Sequence, residues 1–284
     1  MIESGRVTSN IASNFKVYKN GAIYNCSLRG SFRISSKNIK VGDYVVFDDE
    51  SLVIIDIVKR NNEFSRPCIA NVDQAFIVNS IEEPEFSKYL VLKYITYVKF
   101  NQIQPIVIFT KNDIKKNSKI DSFISELQNA QIRCIVTASN DASSILQIKE
   151  LLDGKTSLFF GQTGAGKSTL INMIEPFFNR LIGEYSIFLN RGKHRTKETI
   201  LLPINDETFL VDTPGFSSLD LEMNISDIRT NFPLIEKYRN SCKFDDCKHI
   251  NEPECSVKKD VKMEIIPIEW YNIYVDLMEN KNEH

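Results

Sequence analysis

Gly161-Gln162-Thr163-Gly164-Ala165-Gly166-Lys167-Ser168-Thr169 follows a short apolar run at residues 157–160 and opens an amphipathic stretch from Leu170. This is the G-x-x-x-x-G-K-S pattern in a strand–loop–helix setting. Glycines let successive backbone N–H groups curl around a phosphate without Cβ clashes, and the helix N-terminus that follows adds a favourable field. Lys167 is spaced to reach the β- and γ-phosphates of a nucleotide, and the Ser168 hydroxyl to bind Mg²⁺. A plain glycine-rich turn is the competing reading, and the full motif in this context argues against it.

Further along, an apolar run at 208–211 leads into Asp212-Thr213-Pro214-Gly215. A carboxylate at a strand end, about 45 residues beyond the phosphate loop, can anchor Mg²⁺ through its water shell. The Gly215 N–H is then positioned to sense a γ-phosphate. Earlier in the chain, the run at 105–109 ends in Thr110-Lys111-Asn112-Asp113, a relative of the N-K-x-D element that reads guanine. An ionised Asp113 accepts bonds from guanine N1–H and the N2 amino group. Adenine offers neither donor and would leave the carboxylate unpaired. Thr110 replaces the usual Asn, and Lys111 is expected along the base plane. Another run, 132–136, precedes Thr137-Ala138-Ser139, an S-A-type loop whose backbone N–H supports guanine O6. Ras-like GTPases carry these elements after the phosphate loop, whereas here they come before it. Strand ends can be rejoined while the same groups converge on one crevice, so the order reads as a circularly permuted P-loop GTPase.

The surrounding pattern agrees. Between residues 67 and 220, apolar runs at 74–78, 105–109, 132–136, 157–160 and 208–211 alternate with helical stretches at 88–100, 120–128 and 142–152. That alternation predicts an α/β sheet covered by helices on both faces, with ligands at the carboxyl ends of its strands. Residues 1–66 instead carry short β-rich runs at 7–11, 15–18, 22–28, 44–47 and 52–58, with Asn20-Gly21 as a hairpin signal. An OB-type closed β-barrel is expected there. Residues 221–284 read as helical with one loop interruption. That loop holds Cys242-x4-Cys247-x-His249-x5-Cys255, three thiolates and an imidazole within 14 residues. Four such ligands close a tetrahedral, structural Zn²⁺ site. The chain thus divides into a barrel (1–66), a permuted GTPase unit (67–220) and a helical zinc-binding unit (221–284).

Composition limits the alternatives. Thirty-five basic and 37 acidic residues among 284 give a net charge of −2, which excludes an all-over cationic nucleic-acid coat. By segment the balance is ten basic against seven acidic, 16 against 17, and nine against 13, so the barrel alone is mildly basic. It reads either as a packing unit or as an RNA-binding one. Apolar runs reach only four residues, as in Leu52-Val53-Ile54-Ile55, and no signal-peptide pattern opens the chain. A soluble, cytoplasmic protein with no membrane partner is expected, and nothing calls for an obligate dimer, so a monomer is expected. In a reducing compartment clustered cysteines are metal ligands rather than disulfides.

Taken together, the permuted motifs, the barrel and the cysteine loop resemble the RsgA (YjeQ/YloQ) family of bacterial small-subunit biogenesis GTPases. Further matches are residues 66–74 (Arg-Pro-Cys-Ile-Ala-Asn-Val-Asp-Gln), Arg191-Gly192-Lys193-His194-Arg195-Thr196 in the family's switch segment, and Cys242-Lys243-Phe244-Asp245-Asp246-Cys247-Lys248-His249 in its zinc loop. The resemblance covers essentially the whole chain. It implies hydrolysis of GTP to GDP and phosphate, stimulated by the small (30S) ribosomal subunit and its 16S rRNA, late in subunit maturation. The family's switch usually reads H-T-T. Here Arg195 interrupts it, leaving Thr196 as the candidate Mg²⁺ ligand and Thr199 as a weaker one. Ras-type enzymes place a water-orienting Gln after the D-x-x-G glycine. This chain has Phe216, so His194 becomes the local candidate for orienting water. The basic residues around it equally suit an RNA contact. Two rival classes remain: a P-loop ATPase or kinase, which would have no use for Asp113, and a non-catalytic, zinc-stabilised RNA-binding protein, against which Lys167, Ser168 and Asp212 argue.

Overall fold

The computed structural model describes residues 1–11, 14–28, 38–65, 67–113, 118–138, 141–176, 199–212, 223–238 and 240–279. Strands β1 (Ile2–Ile11), β2 (Asn14–Lys19), β3 (Ala22–Leu28), β4 (Tyr44–Asp48) and β5 (Val53–Ile57) close into a barrel in the order β1-β2-β3-β5-β4. Val7, Val17, Val45, Phe47 and Ile54 fill its interior. Asn20 and Gly21 turn β2 into β3 with φ of 49° and 76°, the left-handed pair a type I′ hairpin requires. Strand β1 begins five residues before its apolar run because it pairs twice. Its first half meets β4 (Ile2↔Asp48 to Arg6↔Tyr44), and its second half meets β2 down to Ile11↔Asn14. Closure of a barrel demands such a shared strand, and hydrophobic pattern alone does not announce it.

Below the barrel, β6 (Glu63–Phe64) and β7 (Ile69–Ala70) form a small ribbon that sequence reading did not anticipate. The central sheet follows, from β8 (Gln74–Ser80), β9 (Gln104–Thr110), β10 (Arg133–Val136), β11 (Thr156–Phe160), β12 (Ile200–Pro203) and β13 (Phe209–Asp212), ordered β10-β9-β8-β11-β13-β12. All strands are parallel except β12, which lies antiparallel to β13 on the edge. Helices α1 (Lys88–Phe100), α2 (Ser118–Asn129), α3 (Ala142–Leu152) and α4 (Lys167–Ile174) make the crossovers. Ser87 caps α1, its side chain accepting from Leu90 N, and Asp141 caps α3 by accepting from Ser143 N and Ser144 N.

Alternate residues along each strand divide the core in two. Ala75, Ile77, Val107, Phe109, Leu158 and Phe160 face one side, under α1 and α2; Phe76, Val78, Ile106, Ile108 and Phe159 face the other, under α3 and α4. The first core does not stop at the sheet. It runs on into the C-terminal segment, where α5 (Ile225–Asn231), a 3₁₀ turn (Glu236–Tyr238), α6 (Ser256–Lys262) and α7 (Ile268–Glu279) follow. Trp270 of α7 is fully buried, lies against Phe123 with ring centroids 5.9 Å apart, and donates from Nε1 to Glu126 Oε2 at 2.7 Å. No helix among the described residues is long and apolar enough to cross a membrane.

Glycine is obligatory where the barrel meets the β6–β7 ribbon. Gly42 has φ +86°, and a Cβ there would sit 2.1 Å from the Ala70 carbonyl oxygen. Gly42→Ala is therefore expected to lower unfolding free energy by about 2 kcal/mol or more in denaturant titrations. Gly21→Ala, in open space at φ +76°, is expected to cost only about 1 kcal/mol.

Candidate functional site

The phosphate loop leaves β11 at Gly161, whose φ of +139° and missing Cβ are both used: a methyl group would meet the Val78 carbonyl oxygen at 2.1 Å. Only glycine lets β11 run this close to the end of β8. Gly164 and Gly166 also have positive φ, 82° and 90°, and Gly166 is the N-cap of α4. Lys167 folds back so that Nζ donates to the carbonyls of Gly161 (2.5 Å) and Gln162 (2.7 Å). Burial lowers its pKa, so the loop holds a partly desolvated cation next to the open N-terminus of α4. Thr163, Gly164, Ser168 and Thr169 are exposed, while Ala165 is buried.

Parallel register brings the base-side loops to the same edge. Ser80 pairs with Thr110, so β8 and β9 end level, and Phe160 pairs with Ile77, so β11 ends three residues earlier on the same side of the sheet. Thr110 is 6% exposed, and its hydroxyl donates to the Ala165 carbonyl at 2.8 Å, with the Asn79 carbonyl oxygen 3.3 Å away. Lys111 has φ +64°, and its ammonium bonds to the Glu83 carbonyl. Asn112 N donates to the Thr137 carbonyl (3.3 Å) and Thr137 N to the Phe109 carbonyl (2.8 Å), splicing the two loops together. Asn112 and Asp113 are exposed at the rim. Between these parts lies a cavity of about 270 Å³, with Thr110, Lys111, Thr137 and Ala138 on one wall and Gly166, Thr169, Leu170 and Met173 on the other. Leu170 and Met173 were not singled out from the sequence as lining residues. Both belong to α4 beyond the motif, and i, i+3 spacing from Leu170 was their available signal. A larger, more open cavity of about 740 Å³, around Arg60 and Asn101, contains none of the motif residues.

On the other side of β11, Leu158 pairs with Val211, so Asp212 ends β13 beside the phosphate loop. Hydroxyl and carboxylate oxygens, as on Ser168 and Asp212, are the donors a hard divalent cation takes. Ser139, His194, Thr196 and Gly215, together with Arg66 and Phe216, lie outside the described residues.

The cysteine loop is assembled to a metal's dimensions. Sγ of Cys242, Cys247 and Cys255 stand 3.4, 3.4 and 3.5 Å from His249 Nδ1, and Cys242 and Cys255 sulfurs are 3.9 Å apart. A tetrahedral ion with bonds of about 2.3 Å to sulfur and 2.0 Å to nitrogen sets its donors about 3.5–3.8 Å apart. The four atoms could therefore hold a metal ion. His249 is fully buried and adopts φ +63°. Tyr271 and Tyr274 of α7 donate to the carbonyls of His249 (2.9 Å) and Lys248 (2.8 Å), fixing the loop from outside the donor set. Burial lowers the His249 pKa, keeping the imidazole a neutral ligand, and pushes the Cys247 thiol up to about 12. Such thiols ionise when a cation compensates their buried charge.

Comparison with known proteins follows this geometry. The RsgA GTPase family model matches residues 57–222, and the RsgA N-terminal domain model matches residues 4–52. The chain belongs to the RsgA GTPase family. Relatives named small ribosomal subunit biogenesis GTPase RsgA include one from Caldanaerobacter subterraneus subsp. tengcongensis, 32% identical over 98% of this chain and 96% of the relative. Another, from Latilactobacillus sakei subsp. sakei, is 36% identical over 92% and 90%. Among solved structures, YjeQ from Thermotoga maritima aligns with TM-score 0.83 at 28% identity over all of both chains. YloQ, described as a circularly permuted GTPase, aligns with TM-score 0.82 at 30% identity over 100% of this chain and 96% of the other. Membership in the RsgA GTPase family makes this a GTP-hydrolysing enzyme, with a barrel, a permuted nucleotide sheet and a cysteine–histidine loop in one chain.

The metal site has a direct check. Protein prepared without chelators is expected to carry one equivalent of a thiol-seeking divalent metal per chain, and Cys247→Ser to carry none, by elemental analysis.

Proposed function

We propose that this enzyme hydrolyses GTP to GDP and phosphate in response to the small (30S) ribosomal subunit, acting in the cytoplasm as a monomer late in maturation of that subunit. The observation that carries this reading is the 270 Å³ cavity where Thr110-Lys111, Thr137-Ala138 and the start of α4 converge. Ribosomal action is supported by the names of relatives matched along nearly the whole chain. The working division is a barrel (1–66), a GTPase unit (67–220) and a zinc unit (221–284). Within it the mildly basic barrel and the switch contact 16S rRNA.

In this reading residues 161–169 (Gly161, Gln162, Thr163, Gly164, Ala165, Gly166, Lys167, Ser168 and Thr169) cradle the phosphates. Lys167 exchanges the carbonyls of Gly161 and Gln162 for β- and γ-phosphate oxygens. Ser168, Thr196 and Asp212 hold Mg²⁺, which when bound neutralises charge developing on the transferred phosphoryl group. The Gly215 N–H senses the γ-phosphate. Asp113 accepts from guanine N1–H and N2, Lys111 covers the base, Asn112 keeps the loop in place, and the backbone of Ala138 and Ser139 serves O6. Cys242, Cys247, His249 and Cys255 hold structural Zn²⁺, supported by donor spacing that suits a tetrahedral ion. His194 orients the attacking water once the subunit orders the switch, since Phe216 offers no hydrogen bond for that task.

Two measurements test these roles. Asp113→Ala is expected to weaken GTP binding by about 10²-fold or more while competition by ATP stays negligible. Strong ATP competition in the wild-type protein would overturn the guanine reading. GTP turnover is expected to rise on adding small subunits. His194→Ala should lose that rise while still binding the subunit. Full stimulated turnover in this variant would remove the catalytic role, and weakened subunit binding would make His194 an RNA contact instead.

A further inference from the structure

Two residues with polar ends on the barrel's outer surface, Arg6 and Tyr18, are buried against the nucleotide sheet. Arg6 on β1 is the cross-strand partner of both Tyr18 on β2 and Tyr44 on β4. Directly paired residues point to the same side of a sheet, so the three form one row. Arg6 is only 4% exposed. Its guanidinium carbon lies 4.7 Å from the Tyr44 ring centroid and 4.6 Å from that of Phe209. Nη2 donates to the Asn71 carbonyl at 2.7 Å, while Nε is buried with no hydrogen-bond partner among the described residues. Tyr18 stands edge-on to Phe209 (5.8 Å, 87°), and its hydroxyl donates to Asp206 Oδ1 at 2.7 Å.

Both targets, Asp206 and Phe209, belong to the β12–β13 hairpin. Ile204 N bonds to the Thr208 carbonyl across its turn, and Asn205 Oδ1 accepts from Glu207 N and Thr208 N. Phe209 opens β13, pairing with Thr156 of β11, and β13 ends three residues later at Asp212. At about 3.3 Å per residue the clamp acts roughly 10 Å from that carboxylate's backbone, along a stiff paired strand. Apolar side chains would serve mere adhesion with less desolvation than a guanidinium. A cation between two rings and a hydroxyl aimed at one carboxylate instead specify a single docking position.

We propose that Arg6 and Tyr18 of the barrel are positioning residues of the nucleotide site, clamping the 200–212 hairpin so that Asp212 is presented in register with the phosphate loop. The inference rests on the reading of Asp212 as a carboxylate serving Mg²⁺. It makes the barrel a part of the nucleotide site's metal response as well as an RNA-contacting unit.

The test is equilibrium binding of a fluorescent GTP analogue to the full chain, titrated with Mg²⁺, beside thermal melts. Tyr18→Phe removes one hydroxyl and keeps the ring on Phe209; Arg6→Met removes the charge and keeps much of the stem. Each is expected to raise the Mg²⁺ concentration for half-maximal tightening by about fivefold or more, the lower end of ordinary coupling between sites. Affinity in EDTA should be unchanged. Lys19→Ala, which breaks the Lys19–Glu3 ion pair (2.5 Å) within the barrel, should leave the midpoint alone. Variants that melt earlier yet keep the wild-type Mg²⁺ midpoint would show that the contacts only hold the units together, and would overturn the proposal. Should Arg6→Met fail to fold, Tyr18→Phe decides alone. Wild-type affinity indifferent to Mg²⁺ would instead sink the reading of Asp212, and the inference with it.

Discussion

A buried hydrogen bond from the Thr110 hydroxyl to the Ala165 carbonyl ties the base-side loop to the phosphate-side loop across 55 residues of chain. It exists because β8 lies between β9 and β11 in parallel register, which delivers Thr110 and Gly161 to one edge of the sheet. The approach is close enough that the Val78 carbonyl leaves no room for a Cβ at Gly161. The cavity between the two loops hangs on that register. A slip of one residue would turn each strand's side chains to the opposite face and separate the loops. Chain order matters much less: the crevice is defined by strand ends, and those ends meet whichever loop is synthesised first.

The same sheet explains why the cysteine loop is part of the enzyme's body. One face of β8, β9 and β11 packs on α1 and α2, and those helices pack in turn on α7 through Trp270 and Phe123. Tyr274, one helical turn beyond Trp270, reaches the backbone beside His249. Cys247 and Cys255 therefore sit at the edge of a core that begins under the nucleotide loops. Ion pairs add to this seam, Lys99 to Glu236 and Lys88 to Glu269. They are partly exposed and contribute little beside the apolar burial.

Much of the site was legible because its requirements are local. A left-handed backbone demands glycine at 161, 164 and 166, and a tetrahedral ion demands four soft donors at loop spacing, so both can be read from neighbours in the chain. The alternation of apolar runs and helical stretches announced the parallel strands and α1 to α3 with ends close to those observed. Strand β12 went unread: it is a four-residue edge strand whose pairing with β13 is set by a turn, not by its own pattern. The ribbon of β6 and β7 is shorter still. Leu170 and Met173 read as ordinary core positions of an amphipathic helix, and nothing local separates a core wall from a ligand wall.

The sequence by itself determined the fold class, the nucleotide motifs and their permuted order, and the four clustered side chains that could hold a metal ion. Each of these is written in short-range spacing that backbone geometry or coordination chemistry enforces. Tertiary structure alone decided that Nδ1 of His249 faces the sulfurs, that Lys167 rests on its own loop, and that the cysteine loop shares a core with the sheet. It also decided that Arg6, which reads as one more surface cation of a mildly basic barrel, is buried between Tyr44 and Phe209. Whether a charge is solvated or enclosed depends on residues two hundred positions away, and no local pattern carries that information.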